Sequence, residues 1–214
     1  MNKDLKKRIL SSIILLPIIL YIIIKGSFLF NFFILICFFI SIFEWNMMTK
    51  KFLHKIFGLL FLTLSFYTVY KIRNDFPNNY YYFLLITLVC VSTDIGGYIF
   101  GNIFKGPKLT KISPKKTYSG MFGGYLLSII FINFFLKNSF NSTSMELTRD
   151  TFILIILIST VSQIGDLIVS YFKRLSNIKD TGKIIPGHGG LLDRIDGMIF
   201  AFPFSYLIFI NGYH

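Results

Sequence analysis

The sequence predicts an all-α polytopic membrane protein with about seven transmembrane helices, a cytoplasmic N-terminus and a polar cavity facing the cytoplasm. Three observations carry that prediction. Apolar residues make up 54% of the chain and charged residues 15%, against roughly 25% charged in an ordinary globular domain. The apolar residues come in long blocks such as Ile9–Ile24, Phe28–Phe43 and Phe152–Ile158, and several blocks approach the ~20 residues a membrane-spanning helix needs. The basic residues then fall on alternate sides of those blocks in a strongly unequal way.

In chain order, the expected spans are about 9–25, 27–46, 56–71, 80–100, 119–137, 151–172 and 195–212. The first follows Lys3, Lys6, Lys7 and Arg8 and resembles a signal peptide. No small-x-small cleavage site follows it and further spans do, so it reads as an uncleaved helix. The third is short, and the fourth and sixth carry acids, Asp94 and Asp166. The stretch 138–150 reads as an outside loop. Two inside loops, 101–118 and 173–194, are too long and too rich in Gly, Pro and charge for simple connectors. The chain divides into N-terminal transmembrane helices, 1–91, and a second transmembrane region, 92–214, that carries both inside loops, within one integral membrane domain.

With the N-terminus inside, inside segments hold 17 of the 22 basic residues and outside segments hold Lys25, Lys71, Arg73, Lys137 and Arg149. This asymmetry supports the span count and the orientation, and the expected location is the cell (inner) membrane. It also accounts for the net charge of +12 without a nucleic-acid partner. Cys37 and Cys90 both lie in apolar blocks and read as packing residues, with no disulfide framework and no Cys-based metal spacing.

Acidic residues are scarce, ten in all, and Asp166, Asp180, Asp193 and Asp196 fall close together. A carboxylate at membrane depth costs at least ~2.5 kcal/mol on insertion scales, so Asp94 and Asp166 point to function or to a buried interhelical bond. Ser159, Ser162, Gln163, Asp166, Ser170 and Lys173 recur at steps of three and four, which puts them on one stripe of a helix. Such a stripe lines a water-filled cavity or a helix interface, and it leads into the inside loop, which favours a cavity open to the cytoplasm.

That loop carries Lys173-Arg174, Lys179-Asp180, Pro186-Gly187-His188-Gly189-Gly190 and Asp193-Arg194-Ile195-Asp196-Gly197. With the last helix beginning near Leu192, Asp193, Asp196 and Gly197 share its first-turn face. Hard carboxylate oxygens among basic side chains, without Cys, suit Mg²⁺ and phosphate rather than zinc. The glycines allow close backbone approach to an anion. His188 alone is weak evidence, because a loop His is more often a plain hydrogen-bonding residue. No Walker pattern or dinucleotide fingerprint is present. These residues point to a phosphate-handling membrane enzyme.

The run Ser170-Tyr171-Phe172-Lys173-Arg174, then Lys179-Asp180-Thr181-Gly182, then Ile185 through Asp196 resembles the signature of the phosphatidate cytidylyltransferase (CDP-diacylglycerol synthase) family, without a mismatch. Asp94-Ile95-Gly96-Gly97-Tyr98 followed by Ile112-Ser113-Pro114-Lys115-Lys116-Thr117 resembles its central segment, and Glu44-Trp45 its N-terminal landmark. Ser119 stands where the family usually has Glu and Asn102 where it usually has Arg, and the interval from Trp45 to Asp94 is shorter than usual.

The resemblance implies a reaction in phospholipid biosynthesis. CTP and phosphatidic acid give CDP-diacylglycerol and pyrophosphate, with the lipid phosphate attacking the α-phosphorus of CTP. It implies a divalent-metal site at Asp166 and Asp193, holding Mg²⁺, and it suggests K⁺ beside it and a homodimer among membrane lipids. Lys173, Arg174, Lys179 and Arg194 would neutralise phosphates, with Asp180, His188 and Asp196 as further site residues. Ser113, Lys115, Lys116, Thr117, Ser170, Gly187, Gly189 and Gly190 would contact substrate, the Gly-rich turn on the nucleotide side. Two competing readings fit less well. The helix-borne Asp and Gly spacing of CDP-alcohol phosphotransferases is absent, and so are the internal inverted repeats that favour a transporter.

Overall fold

The computed structural model describes residues 16–75, 80–110, 112–138, 147–185 and 189–211. Eight helices occur among the described residues: α1 (Leu16–Lys25), α2 (Ser27–Met48), α3 (Phe52–Asn74), α4 (Tyr80–Phe104), α5 (Tyr118–Asn138), α6 (Arg149–Leu175), α7 (Leu192–Ile195) and α8 (Met198–Ile210). Strand-like pairing there is confined to two isolated bridges, Lys108 with Thr117 and Ile185 with Gly189. Helices α2 to α6 are each long and apolar enough to cross a membrane, and α1 and α8 are shorter apolar helices. Their outer surface suits lipid: Phe28, Leu53 and Tyr98 are each roughly three-quarters exposed, at 76%, 77% and 74%.

The helices follow the expected spans, with two differences. Helix α3 runs past 56–71 at both ends: Lys55 and Lys71 remain helical, and Arg73 is buried against the end of α1. The expected single span 195–212 is broken after Ile195. Asp196 and Gly197 keep helical torsions (φ/ψ −58/−38 and −73/−38), but the Gly197 N–H donates to Asp196 Oδ1 at 3.0 Å. The side chain takes a donor that the helix ladder would otherwise use. The first seven positions of the first expected span, 9–15, lie outside the described residues.

Each junction has a local cause. Helix α1 ends at Gly26, whose φ of +62° is a left-handed conformation that favours glycine. The carbonyls left open there accept from Arg73 of α3: Nε to Ile23 at 2.9 Å and Nη2 to Ile24 at 3.3 Å. A Cβ on Gly26 would stand 2.1 Å from that same Nη2. Helix α6 begins at Thr148, whose hydroxyl accepts from the Thr151 N–H at 3.2 Å, and carries Asp150 in its first turn and Lys173 and Arg174 in its last. Those charges match the helix dipole at both ends. Helices α4 and α5 pack through glycine, and a Cβ at Gly96 would lie 2.4 Å from the Gly123 carbonyl oxygen. This close approach of backbones is the membrane mode of small-residue packing.

Helix α8 contains Pro203. Proline has no N–H, so the carbonyl four residues back, on Ile199, loses its helical partner. Ser65 of α3 donates its hydroxyl to that oxygen at 2.7 Å. One apolar cluster, including Phe30, Ile86, Ile132, Ile158 and Phe202, fills the middle of the bundle. A second joins Trp45, Leu62, Val169, Leu192 and Ile199 and forms the floor on which the charged region rests.

Candidate active site

The polar stripe on α6 faces inward and divides into two parts. Deeper in the bundle it is a helix interface: Thr93 of α4 donates to Ser159 at 2.8 Å, and Ser162 lies against Gly197, where a Cβ would come within 2.3 Å of its oxygen. Toward the loops it becomes ionic. Ser159 and Ser162 thus belong to a helix interface rather than to the expected cavity lining.

Asp166 pairs with Lys116, and Ser170 Oγ donates to Asp166 Oδ1 at 3.4 Å. Asp196 stands near enough to Asp166 for the two carboxyl groups to influence one another electrostatically. Asp94 is accessible on its own surface and feels the charges of Asp166, Lys116 and Arg194. Counted at 1.5 Å per residue, Asp94 and Asp166 each sit ~14–15 Å from the loop-side ends of α4 and α6. Four separate segments thus bring three carboxyl groups and two of the expected cations, Lys116 and Arg194, into one region. Lys173 is buried, with Nζ 3.0 Å from Asp193 Oδ1 and 3.7 Å from Asp196 Oδ2.

Residues 105–110 and 112–117 fold back on one another, with a bridge between Lys108 and Thr117, and present Lys116. The Leu109 N–H donates to Lys116 O at 2.8 Å and the Lys116 N–H to Ser113 O at 3.0 Å. Thr117 caps α5 by accepting from the Gly120 N–H at 3.1 Å, and Ser113 donates its N–H to Thr110 Oγ1 at 3.2 Å. Ser119, in the place where the family usually has Glu, donates to the Lys105 carbonyl. Lys115 is exposed.

The second loop is held by acids. Asp193 Oδ2 accepts the N–H of Thr181 at 2.8 Å and of Gly190 at 3.1 Å, so both its oxygens are engaged. Arg174 turns back to its own helix end and donates to Ile178 O at 3.1 Å. Lys179, Asp180, Gly182, Lys183, Ile185 and Gly189 line an open cleft of about 600 Å³. Gly187 and His188 lie outside the described residues.

The structure therefore gathers Asp166, Asp196, Lys116, Lys173 and Arg194, sets Lys179, Asp180 and Gly189 at the neighbouring cleft, and gives Gly190 and Thr117 to backbone anchoring. Sequence reasoning gave Asp94 only a supporting place beside the site, from a neighbouring helix, and read Glu44 only as a landmark. Glu44 is buried at the end of α2 and accepts from Thr181 Oγ1, Leu191 N and Leu192 N at 2.8–2.9 Å. The rarity of acids inside apolar runs was the signal for it.

Among the described residues, no set of three or more His, Cys, Asp or Glu side chains is arranged to cage a metal ion. The donor set still fits Mg²⁺, which takes one or two carboxylates together with substrate phosphates rather than an all-protein cage. The closeness of Asp166 to Asp196 adds to that fit, because neighbouring carboxylates repel and a cation beside them relieves the repulsion.

Residues 51–211 match the model of the cytidylyltransferase family. A protein of Rickettsia bellii named phosphatidate cytidylyltransferase is 36% identical over 220 residues, covering 99% of this chain and 92% of its own length. The protein of the same name from Rickettsia felis is 34% identical, with 98% and 94% covered. The one from Staphylococcus haemolyticus is 36% identical over 158 residues, 72% of this chain and 57% of its own length. The short interval before Asp94 thus accompanies relatives of nearly the same span and others that are much longer. The chain belongs to the cytidylyltransferase family, in the company of proteins named phosphatidate cytidylyltransferase.

Proposed function

We propose that this protein transfers the cytidylyl group of CTP to phosphatidic acid, giving CDP-diacylglycerol and pyrophosphate for phospholipid synthesis. The observation that carries the proposal is the meeting of Asp94, Asp166 and Asp196 with Lys116, Lys173 and Arg194, beside a cleft lined by Lys179 and Lys183. A phosphate oxygen of the lipid attacks the α-phosphorus of CTP. The new oxygen–phosphorus bond forms as the bond to the β-phosphate oxygen breaks, and pyrophosphate leaves with that electron pair. Such a step asks the protein for positioning and for cations rather than for covalent chemistry.

Lys116 and Lys173 are held ready on carboxylates and meet the crowded phosphate oxygens from two sides. Arg194 reaches the same region from α7, and Lys179 and Lys183 hold the outer phosphates at the cleft. The reading assigns Asp166 and Asp193 to a Mg²⁺, with Asp196 adjoining, and that ion would offset charge on the reacting phosphates. Potassium beside it and a homodimer are the further expectations of the same reading.

The proposed placement has seven spans, an inner-membrane location, and a cytoplasmic N-terminus and site. It is supported by the 17 of 22 basic residues that then lie inside. The test is incorporation of cytidine-labelled CTP into lipid by purified protein supplied with phosphatidic acid in mixed micelles, with and without Mg²⁺. Label in a lipid product, with equimolar pyrophosphate, is the expected result. Absence of both would overturn the proposal.

A further inference from the structure

We infer that Glu44 is a positioning residue: its carboxyl group clasps both limbs of the 181–192 loop and so sets the cleft for the nucleotide. The inference rests on the reading that this loop is the nucleotide side of the site. Glu44 is 1% exposed and lies 137 to 148 residues before its three partners. Oε2 accepts from Thr181 Oγ1 at 2.9 Å and from Leu192 N at 2.8 Å, while Oε1 accepts from Leu191 N at 2.9 Å. One limb of the loop and the other thus end on the same two oxygens. Between them lie Gly182, Lys183, Ile185 and Gly189, four of the residues that line the cleft.

The loop is shaped around this group. A Cβ at Gly182 would stand 2.6 Å from Glu44 Oε1, and one at Gly190 would stand 2.6 Å from Oε2 and 2.2 Å from the Thr181 hydroxyl. From the opposite side Asp193 takes the N–H groups of Thr181 and Gly190. The loop is therefore fixed between two acids, one from α2 and one from α7. The matched family segment begins at residue 51, so Glu44 stands outside it. Its neighbour Trp45 fastens the same helix end, donating Nε1–H to His54 O at 2.9 Å and packing edge-on against Phe172. A buried carboxyl group is costly unless its oxygens are bonded, and here every bond made goes to the loop.

Glu44→Gln keeps the size but replaces one oxygen with a donor that faces the Leu191 or the Leu192 N–H. The full chain in lipid nanodiscs is compared with Glu44→Gln, Glu44→Asp and the milder Thr181→Val by hydrogen exchange and by steady-state kinetics. We expect exchange across 181–192 to rise in Glu44→Gln while peptides of α4 and α5 stay unchanged. The KM for CTP should rise about tenfold, the scale of one lost buried hydrogen bond, with KM for phosphatidic acid within about twofold. Thr181→Val should show a smaller change of the same kind, and Glu44→Asp should recover part of the loss. Unchanged exchange at 181–192 in Glu44→Gln overturns the clasp. Faster exchange with an unaltered KM for CTP overturns its role in nucleotide binding, as does a uniform loss of protection in both Glu44→Gln and Thr181→Val. A wild-type chain that makes no CTP-dependent lipid product refutes the functional reading instead, and exchange then judges the clasp alone.

Discussion

Replacing Lys173 with Gln removes a cation that holds Asp193 and Asp196 together. Its Nζ lies 3.0 Å and 3.7 Å from the two carboxylates, and the three side chains are 10%, 8% and 11% exposed. Removing one partner from a buried ion pair costs about 3–5 kcal/mol, because the other charge stays behind. Asp193 keeps the Thr181 and Gly190 N–H groups, which places the expected loss at the low end, about 3 kcal/mol. For a chain of this size each kcal/mol moves the melting midpoint by about 2–4 °C, so the shift should be about 6–12 °C. Turnover should fall by about a hundredfold or more, the range for a single electrostatic stabiliser. The assay is thermal unfolding in detergent alongside CTP- and phosphatidate-dependent turnover, with Lys51→Gln as control. Lys51 is exposed, and one juxtamembrane charge contributes only ~1 kcal/mol of surface attraction, so its turnover should stay within about twofold. A Lys173→Gln variant that melts within about 2 °C of wild type and retains half its turnover would refute both the buried pair and the catalytic assignment.

Other outcomes follow from the same geometry. Asp166→Asn and Asp193→Asn should each abolish most Mg²⁺-dependent turnover and weaken Mg²⁺ binding measured by titration, whereas Asp94→Asn should be milder, acting from a neighbouring helix. In a chain lacking Cys37 and Cys90, a cysteine at Thr110 should react only from the cytoplasm. One at Ser144, outside the described residues, should react only from the other side, and equal access would sink the seven-span arrangement. Ser65→Ala should destabilise by about 1–3 kcal/mol by orphaning the Ile199 carbonyl, read as a lower unfolding midpoint. Adding Pro203→Ala should recover most of that loss, because it restores the N–H that the helix lacks.

The spans were legible because lipid demands long apolar runs, and the α2 to α6 assignments depend on little else. The α6 stripe was legible because six polar positions keep helical spacing. How that stripe divides was not, since it depends on Gly197 and Thr93 arriving from distant segments. The break at Asp196 was hidden for a related reason: its torsions stay helical and only the hydrogen bond changes partner. Spacing placed Asp193 and Asp196 on one turn but could not tell which would meet Asp166. The structure brings Asp196 to Asp166 and gives Asp193 to Lys173 and two backbone amides. Glu44 was visible as an isolated acid, yet its partners lie more than a hundred residues away and no periodicity links them.

The serine that serves the proline-containing helix also bears on how the chain is assembled. Helix α8 has 13 residues, ~20 Å at 1.5 Å per residue, shorter than the ~30 Å hydrocarbon layer. An unmatched carbonyl in lipid adds several kcal/mol against its residence there. Its partner, Ser65, is made 134 residues earlier and stands in the membrane before α8 is synthesised. Helix α8 thus meets a waiting hydrogen-bond donor rather than inserting on its own merit. Commitment of the C-terminal helix to the bilayer then becomes a checkpoint on whether α3 has already been seated correctly.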